Sequence, residues 1–191
     1  MSRDLIADEG YTVETYLALV EEGVLTPEDR VELLEGLIVA RSPHTPEHAA
    51  AVYHAARTLE LAIGDRAVVR GQLSLIAGTR SVPEPDVAVI AGSPRDFDHV
   101  HPRDAVLVME VSGESLAADR LTKSRVYAGA GVPEYWIINL RDDCVEVYAE
   151  PDLEQRIYGH RSVRPRDGFV AMRAFPHVAI AVDDLLPARR E

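Results

Sequence analysis

Asp86-Val87-Ala88-Val89-Ile90-Ala91 and Ala105-Val106-Leu107-Val108-Met109-Glu110-Val111 decide the fold. Both are short, nearly unbroken aliphatic runs, the pattern of strands buried on both faces of a sheet. Each also carries a carboxylate, Asp86 opening the first run and Glu110 near the close of the second. An ionised carboxyl in such a place costs several kcal/mol unless something compensates it, or it takes up a proton instead. One divalent cation compensates both, since hard oxygen ligands suit Mg²⁺ or Mn²⁺. The plainer alternative is a carboxylate merely solvated at a strand end.

Upstream, Val13, Tyr16, Leu17 and Val20 recur at helical spacing over Thr12–Glu22, with Thr12 as N-cap and Gly23 as stop. Val31–Leu34 and Leu37–Ala40 flank Glu35-Gly36 and predict an antiparallel hairpin. After the break Ser42-Pro43-His44-Thr45-Pro46, the residues Ala49, Val52, Tyr53, Ala56, Leu59 and Ile63 predict a longer helix ending near Gly64-Asp65. Ala67 to Ala77 predicts a strand turned by Gly78-Thr79-Arg80.

Downstream, Leu116–Ala130 predicts a third helix, with Asp119, Lys123 and Tyr127 along one side and Gly129, Gly131 and Pro133 as stops. Tyr135–Leu140 and Val145–Ala149 predict strands, and Ile157–Val163 and Val178–Val182 edge strands. Helix, hairpin, helix, strands, helix, strands is the order of an α/β (α+β) domain with a mixed central sheet flanked by helices. At 191 residues the chain is long enough for one domain, 1–191, and short for two.

Composition narrows the function. Apolar residues at 47% and charged residues at 27% describe a globular protein. Cys144 is the only cysteine, which excludes an internal disulfide and a cysteine-built zinc cage and suits a cytoplasmic location. Met1–Gly10 lacks the basic and apolar regions of a secretory signal, and no apolar run reaches membrane-spanning length, so no membrane association is expected. The net charge of −12 opposes nonspecific attraction to nucleic acid, although carboxylates gathered for a metal are compatible with a local basic strip for substrate.

Five segments in order resemble the motifs of the Uma2 family, also called DUF820. They are Val31-Glu32-Leu33-Leu34-Glu35-Gly36, Pro83-Glu84-Pro85-Asp86-Val87, Leu107-Val108-Met109-Glu110-Val111-Ser112, Asp119 through Lys123 to Tyr127, and Gly131-Val132-Pro133-Glu134-Tyr135-Trp136. The likeness runs from about Tyr11 to Tyr148. It implies a restriction-endonuclease-like fold with a PD-(D/E)XK type of metal site, and a Mg²⁺- or Mn²⁺-dependent endonuclease hydrolysing phosphodiester bonds, in DNA, by metal-activated water. Asp86 and Glu110 match the two strand acids and Glu32 the hairpin glutamate, a third acidic contributor to the metal; Lys123 matches a basic position on the following helix. Ser112 stands where the superfamily pattern has lysine, Val31 where the family usually has an aromatic residue, and Glu35-Gly36 where its turn is Asp-Gly. Resemblance and the need to cut two strands also imply a homodimer.

Roles follow from the residue types. Asp86 and Glu110 would hold the cation, Lys123 would position water or neutralise phosphate, and Glu32 would complete the metal shell or hold a metal-bound water. Asp119 and Lys123, four apart on a helix, are equally a surface ion pair worth a few tenths of a kcal/mol. His48 matches a histidine common in the family pattern, against a capping or packing role. Asp98, His99, His101 and Asp104 have metal-capable spacing but fit a polar loop better. Ser112 and Ser115 lack a nucleophile elbow and suit helix capping; Tyr135 and Trp136 suit the core. From another class comes a rival: a silent nuclease-like domain used for binding or assembly, which accommodates the acidic balance and Ser112.

Overall fold

The computed structural model describes residues 10–41 and 43–189. The first nine residues, on which the expectation of no export signal rests, and Ser42 of the Pro-flanked break lie outside the described residues. Helix α1 (Val13–Glu21) starts where expected, with the Thr12 hydroxyl accepting from the Thr15 N–H at 3.2 Å. Strands β1 (Val31–Leu34) and β2 (Leu37–Ala40) form the hairpin. Glu35 at φ 51° and Gly36 at φ 84° give its tight turn the two left-handed residues that match strand twist.

Helix α2 (Pro46–Ile63) is capped by Thr45 and closed by Gly64. Its buried face is Ala51, Val52, Ala55, Leu59 and Ile63; Tyr53, placed on that face by the spacing, is 67% exposed. Strand β3 (Val68–Gly71) is much shorter than the expected 67–77. Gln72 adopts φ 53°, and its N–H is divided between the carbonyl of Asp86, its partner at the next rung, at 3.2 Å and that of Pro85 at 3.1 Å. A left-handed residue stops regular pairing, and apolar periodicity alone does not reveal one.

The remaining strands are β4 (Val87–Ile90), β5 (Leu107–Ser112), β6 (Glu134–Asn139), β7 (Cys144–Asp152) and β8 (Ile157–Pro165), with a small pair of β9 (Phe169–Val170) and β10 (Ile180–Ala181). The main sheet has the order β3-β4-β5-β6-β7-β8. All its pairs are antiparallel except β5 with β6. A parallel pair needs a long crossover, and the third helix supplies it. That helix is α3 (Leu116–Ala118), a π-helical turn (Asp119–Lys123) and α4 (Ser124–Gly129), run end to end.

Period-two alternation divides the strand residues between two cores. Val87, Val89, Leu107, Met109, Val111, Trp136 and Ile138 pack beneath α2. Ala88, Ile90, Val108, Tyr135 and Ile137 pack beneath Leu116, Val126 and Tyr127 of the crossover helix. Glu110 and Ser112 share the parity of Val108, so they face the crossover helix as well.

Candidate active site

The register brings the two strand acids together. Val87 pairs with Met109 and Ala88 with Val108, and continuing that antiparallel ladder one step sets Asp86 opposite Glu110. Both are 5% exposed. Each reaches toward the other's backbone: the Val111 N–H donates to Asp86 Oδ2 at 2.9 Å, and the Asp86 N–H points at Glu110 Oε2 at 3.4 Å.

The crossover helix lays Asp119, Lys123 and Tyr127 over these acids. A turn closed by the Ser124 N–H on the Asp119 carbonyl, five residues back, makes the segment π-helical, a feature frequent at functional sites. Tyr127 donates its hydroxyl to Glu110 Oε1 at 2.6 Å. Lys123 Nζ lies 3.2 Å from Glu110 Oε1 and 2.7 Å from Glu32 Oε2. The hairpin delivers Glu32 because β1 is tied to the segment before Asp86: the Val82 N–H donates to the Leu33 carbonyl at 2.8 Å, the Glu35 N–H to Ser81 Oγ at 2.9 Å and the Glu84 N–H to Glu32 Oε2 at 3.1 Å.

Asp119 and Lys123 are both buried, so the surface-pair expectation is corrected. Asp119 accepts hydrogen bonds from the hydroxyls of Ser112 and Ser115. Those two serines therefore tie a carboxylate to the helix start, and Ser115, though at the N-cap position, makes no side-chain cap bond. Ser112, where lysine was the pattern, points at Asp119, while the buried ammonium comes from the helix.

Electrostatics follow from this crowding. Burial is the largest influence and, joined by repulsion from Asp86, Asp119 and Glu32, overcomes the opposing help of Lys123 to push the Glu110 carboxyl up to about 8. Burial also raises Asp119, against its serine hydrogen bonds and Lys123. For Asp86 burial is the largest influence and acts upward, but His48, the Val111 N–H and Gln72 together hold it below the ordinary aspartate range. Burial acts downward on Lys123, yet Glu110 and Glu32 hold its ammonium above its usual value. Four carboxyls against one buried amine leave a deficit of positive charge. An oxygen-rich donor set with that deficit fits a hard dication.

Two histidines complete the cleft, whose volume is about 440 Å³. His48 Nε2 is 3.1 Å from Asp86 Oδ2. His44 stacks on His48 with ring centroids 4.2 Å apart. Among the described residues, His44, His48 and Asp86 are the metal-capable side chains whose ligand atoms all lie within 4.8 Å of one another. Glu32 and Glu110 are joined through the Lys123 ammonium. His44, Gln72 and Tyr127 join the site without having been expected there from the sequence; for His44 the available signal was its i, i+4 spacing to His48 across the Thr45 cap. Asp98, His99, His101 and Asp104 are exposed and belong to no such group among the described residues, whereas Tyr135 and Trp136 are fully buried in the core.

Comparisons with known proteins bear on the fold and the family. A comparison with curated proteins found no match. Among solved structures, one described as a "putative nuclease belonging to DUF820", from Anabaena variabilis ATCC 29413, superposes with a TM-score of 0.73 over 92% of this chain and 97% of that one. Sequence identity is 19%, so the likeness is one of fold, the restriction-endonuclease-like arrangement the motifs implied. The family model described as "putative restriction endonuclease" matches residues 13–183, from the first residue of α1 to beyond β10. Spanning every element that builds the cleft, that match shows that the chain belongs to the Uma2 family.

Proposed function

We propose that this protein is a metal-dependent endonuclease that hydrolyses phosphodiester bonds in DNA, with Glu32, Asp86, Glu110 and Lys123 as its machinery. The observation that carries the proposal is the pairing of Asp86 with Glu110: two buried carboxyls set opposite each other by strand register, beneath an ammonium, with too little positive charge to neutralise them. A bound Mg²⁺ or Mn²⁺ supplies charge stabilisation at a phosphate oxygen and acidifies an attacking water.

The chain's own residues do the rest. Asp86, held ionised by His48, the Val111 N–H and Gln72, is a fixed negative ligand. Glu110 becomes a ligand by giving up its proton, and Tyr127 keeps its carboxyl aimed. Glu32 restrains Lys123, whose ammonium is placed to orient a water or meet a phosphate oxygen once substrate enters. Substrate enters over the cleft rim formed by the hairpin and the start of α2.

Purified protein should nick supercoiled plasmid with Mg²⁺ or Mn²⁺ and not with EDTA, and Asp86→Ala should abolish the nicking. Two features favour the rival, a silent binding module: the Lys123 ammonium is engaged by two carboxylates, and Ser112 occupies the superfamily lysine position. No cleavage of duplex, single-stranded or RNA substrates under any dication would establish it. Cutting both strands would call for a homodimer, detectable as a doubled mass in solution. One domain and a reducing, cytoplasmic setting complete the proposal.

A further inference from the structure

We infer that His44, His48 and Asp86 form a nitrogen-bearing cation site that takes a borderline first-row dication such as Zn²⁺ or Co²⁺ in preference to Mg²⁺. The site shares Asp86 with the nuclease proposal, but it requires neither phosphodiester chemistry nor the Glu32–Lys123 pair. Its three donor atoms lie within 4.8 Å of one another. The 3.1 Å between His48 Nε2 and Asp86 Oδ2 matches the roughly 3.0–3.4 Å edge between neighbouring ligands on a metal with bonds of about 2.0–2.2 Å.

A further feature points to a bridging ligand. Gln72 Nε2 lies 3.1 Å from His44 Nδ1 and 3.3 Å from Asp86 Oδ1, so one polar hydrogen-bearing group already bridges a histidine and the carboxylate. A cation would bridge the same lone pairs with full charge. Gln72 sits at the left-handed residue that ends β3, which fixes where its side chain leaves the backbone.

Donor chemistry sets the choice of metal. Two imidazoles and one carboxylate suit zinc, cobalt and nickel, and affinity rises along the first-row series, whereas Mg²⁺ prefers oxygen and keeps its waters. His44 is exposed on the loop before α2, so its removal should leave the fold intact.

The test uses full-length protein without a histidine tag. Calorimetry should show Co²⁺ binding about a hundredfold or more tighter than Mg²⁺. His44→Ala should weaken Co²⁺ binding by about tenfold or more while leaving Mg²⁺ affinity and the melting temperature in EDTA unchanged. In the wild-type protein, Zn²⁺ should shift the ring ¹⁵N resonances of His44 and His48, a readout that needs no variant. Equal Co²⁺ and Mg²⁺ affinities, or ring resonances of both histidines unmoved at saturating Zn²⁺, would overturn the inference. Metal-dependent nicking without imidazole coordination would remove this site and leave the nuclease proposal standing. Imidazole coordination without cleavage of any substrate would do the reverse.

Discussion

Replacing Glu110 with glutamine should stabilise the metal-free protein at neutral pH. The carboxyl is pushed from an ordinary 4.5 to about 8 in the folded state, so folded protein holds the proton that unfolded protein has released. A raised carboxyl leaves stability intact below pH 4.5 and erodes it as pH climbs toward 8. At about 1.36 kcal/mol per pH unit, the erosion reaches about 3 kcal/mol by pH 7. Glutamine escapes that cost. Its amide oxygen can take the place of Oε1 and accept from Tyr127 and Lys123, while its amino group forfeits the long contact with the Asp86 N–H. Losing that contact costs about 1 kcal/mol, leaving a net gain of about 2 kcal/mol at pH 7 and none near pH 5. For a chain of this length the gain corresponds to roughly 4–8 °C in melting temperature. Thermal melts in EDTA at pH 5 and pH 7 measure it. Addition of Mn²⁺ should reverse the ranking, because metal binding draws the proton off Glu110 in the wild type only. Equal destabilisation of Glu110→Gln at both pH values in EDTA would refute the idea that this carboxyl is short of positive charge.

Lys123→Met should abolish nicking and destabilise the protein by about 3 kcal/mol at neutral pH, since Glu32 and Glu110 lose a buried partner; urea unfolding measures the loss. Glu146 marks the opposite linkage. It is buried itself, yet Arg120, Arg161, Tyr148 and Asn139 outweigh that burial and hold its carboxyl down to about 2. Its contribution of about 3 kcal/mol is present above pH 4.5 and lost as pH falls toward 2, and Glu146→Gln should flatten that part of the stability profile. Ser112→Ala should cost about 1–2 kcal/mol by removing a donor from buried Asp119, and a chevron plot would show the loss.

Asp86 and Glu110 were legible in the sequence because each interrupts an apolar run, and strand parity then sets both on one face. The hairpin was legible too, since Glu35-Gly36 supplies a turn that needs two left-handed residues. Other features depended on tertiary facts. The arrest of β3 turns on the φ of Gln72, which no apolar pattern encodes. Asp119 looked like a solvated helix residue because one of its partners, the Ser112 hydroxyl, belongs to the end of β5 rather than to the helix; Ser115, four residues back at the helix start, was the local partner the spacing offered. Tyr53 carried the right spacing but faces outward, because α2 buries the adjacent stripe through Ala51, Ala55 and Leu59. His44 sits in a Pro-flanked stretch whose composition signals a break, and its pairing with His48 emerges only when Thr45 starts the helix between them.

Anomalous diffraction from crystals soaked in Mn²⁺ tests the central claim most directly. A peak within about 2.5 Å of carboxylate oxygens from both Asp86 and Glu110, lost in Asp86→Ala crystals, is the predicted result. Fully soaked crystals with no peak against either residue would contradict it.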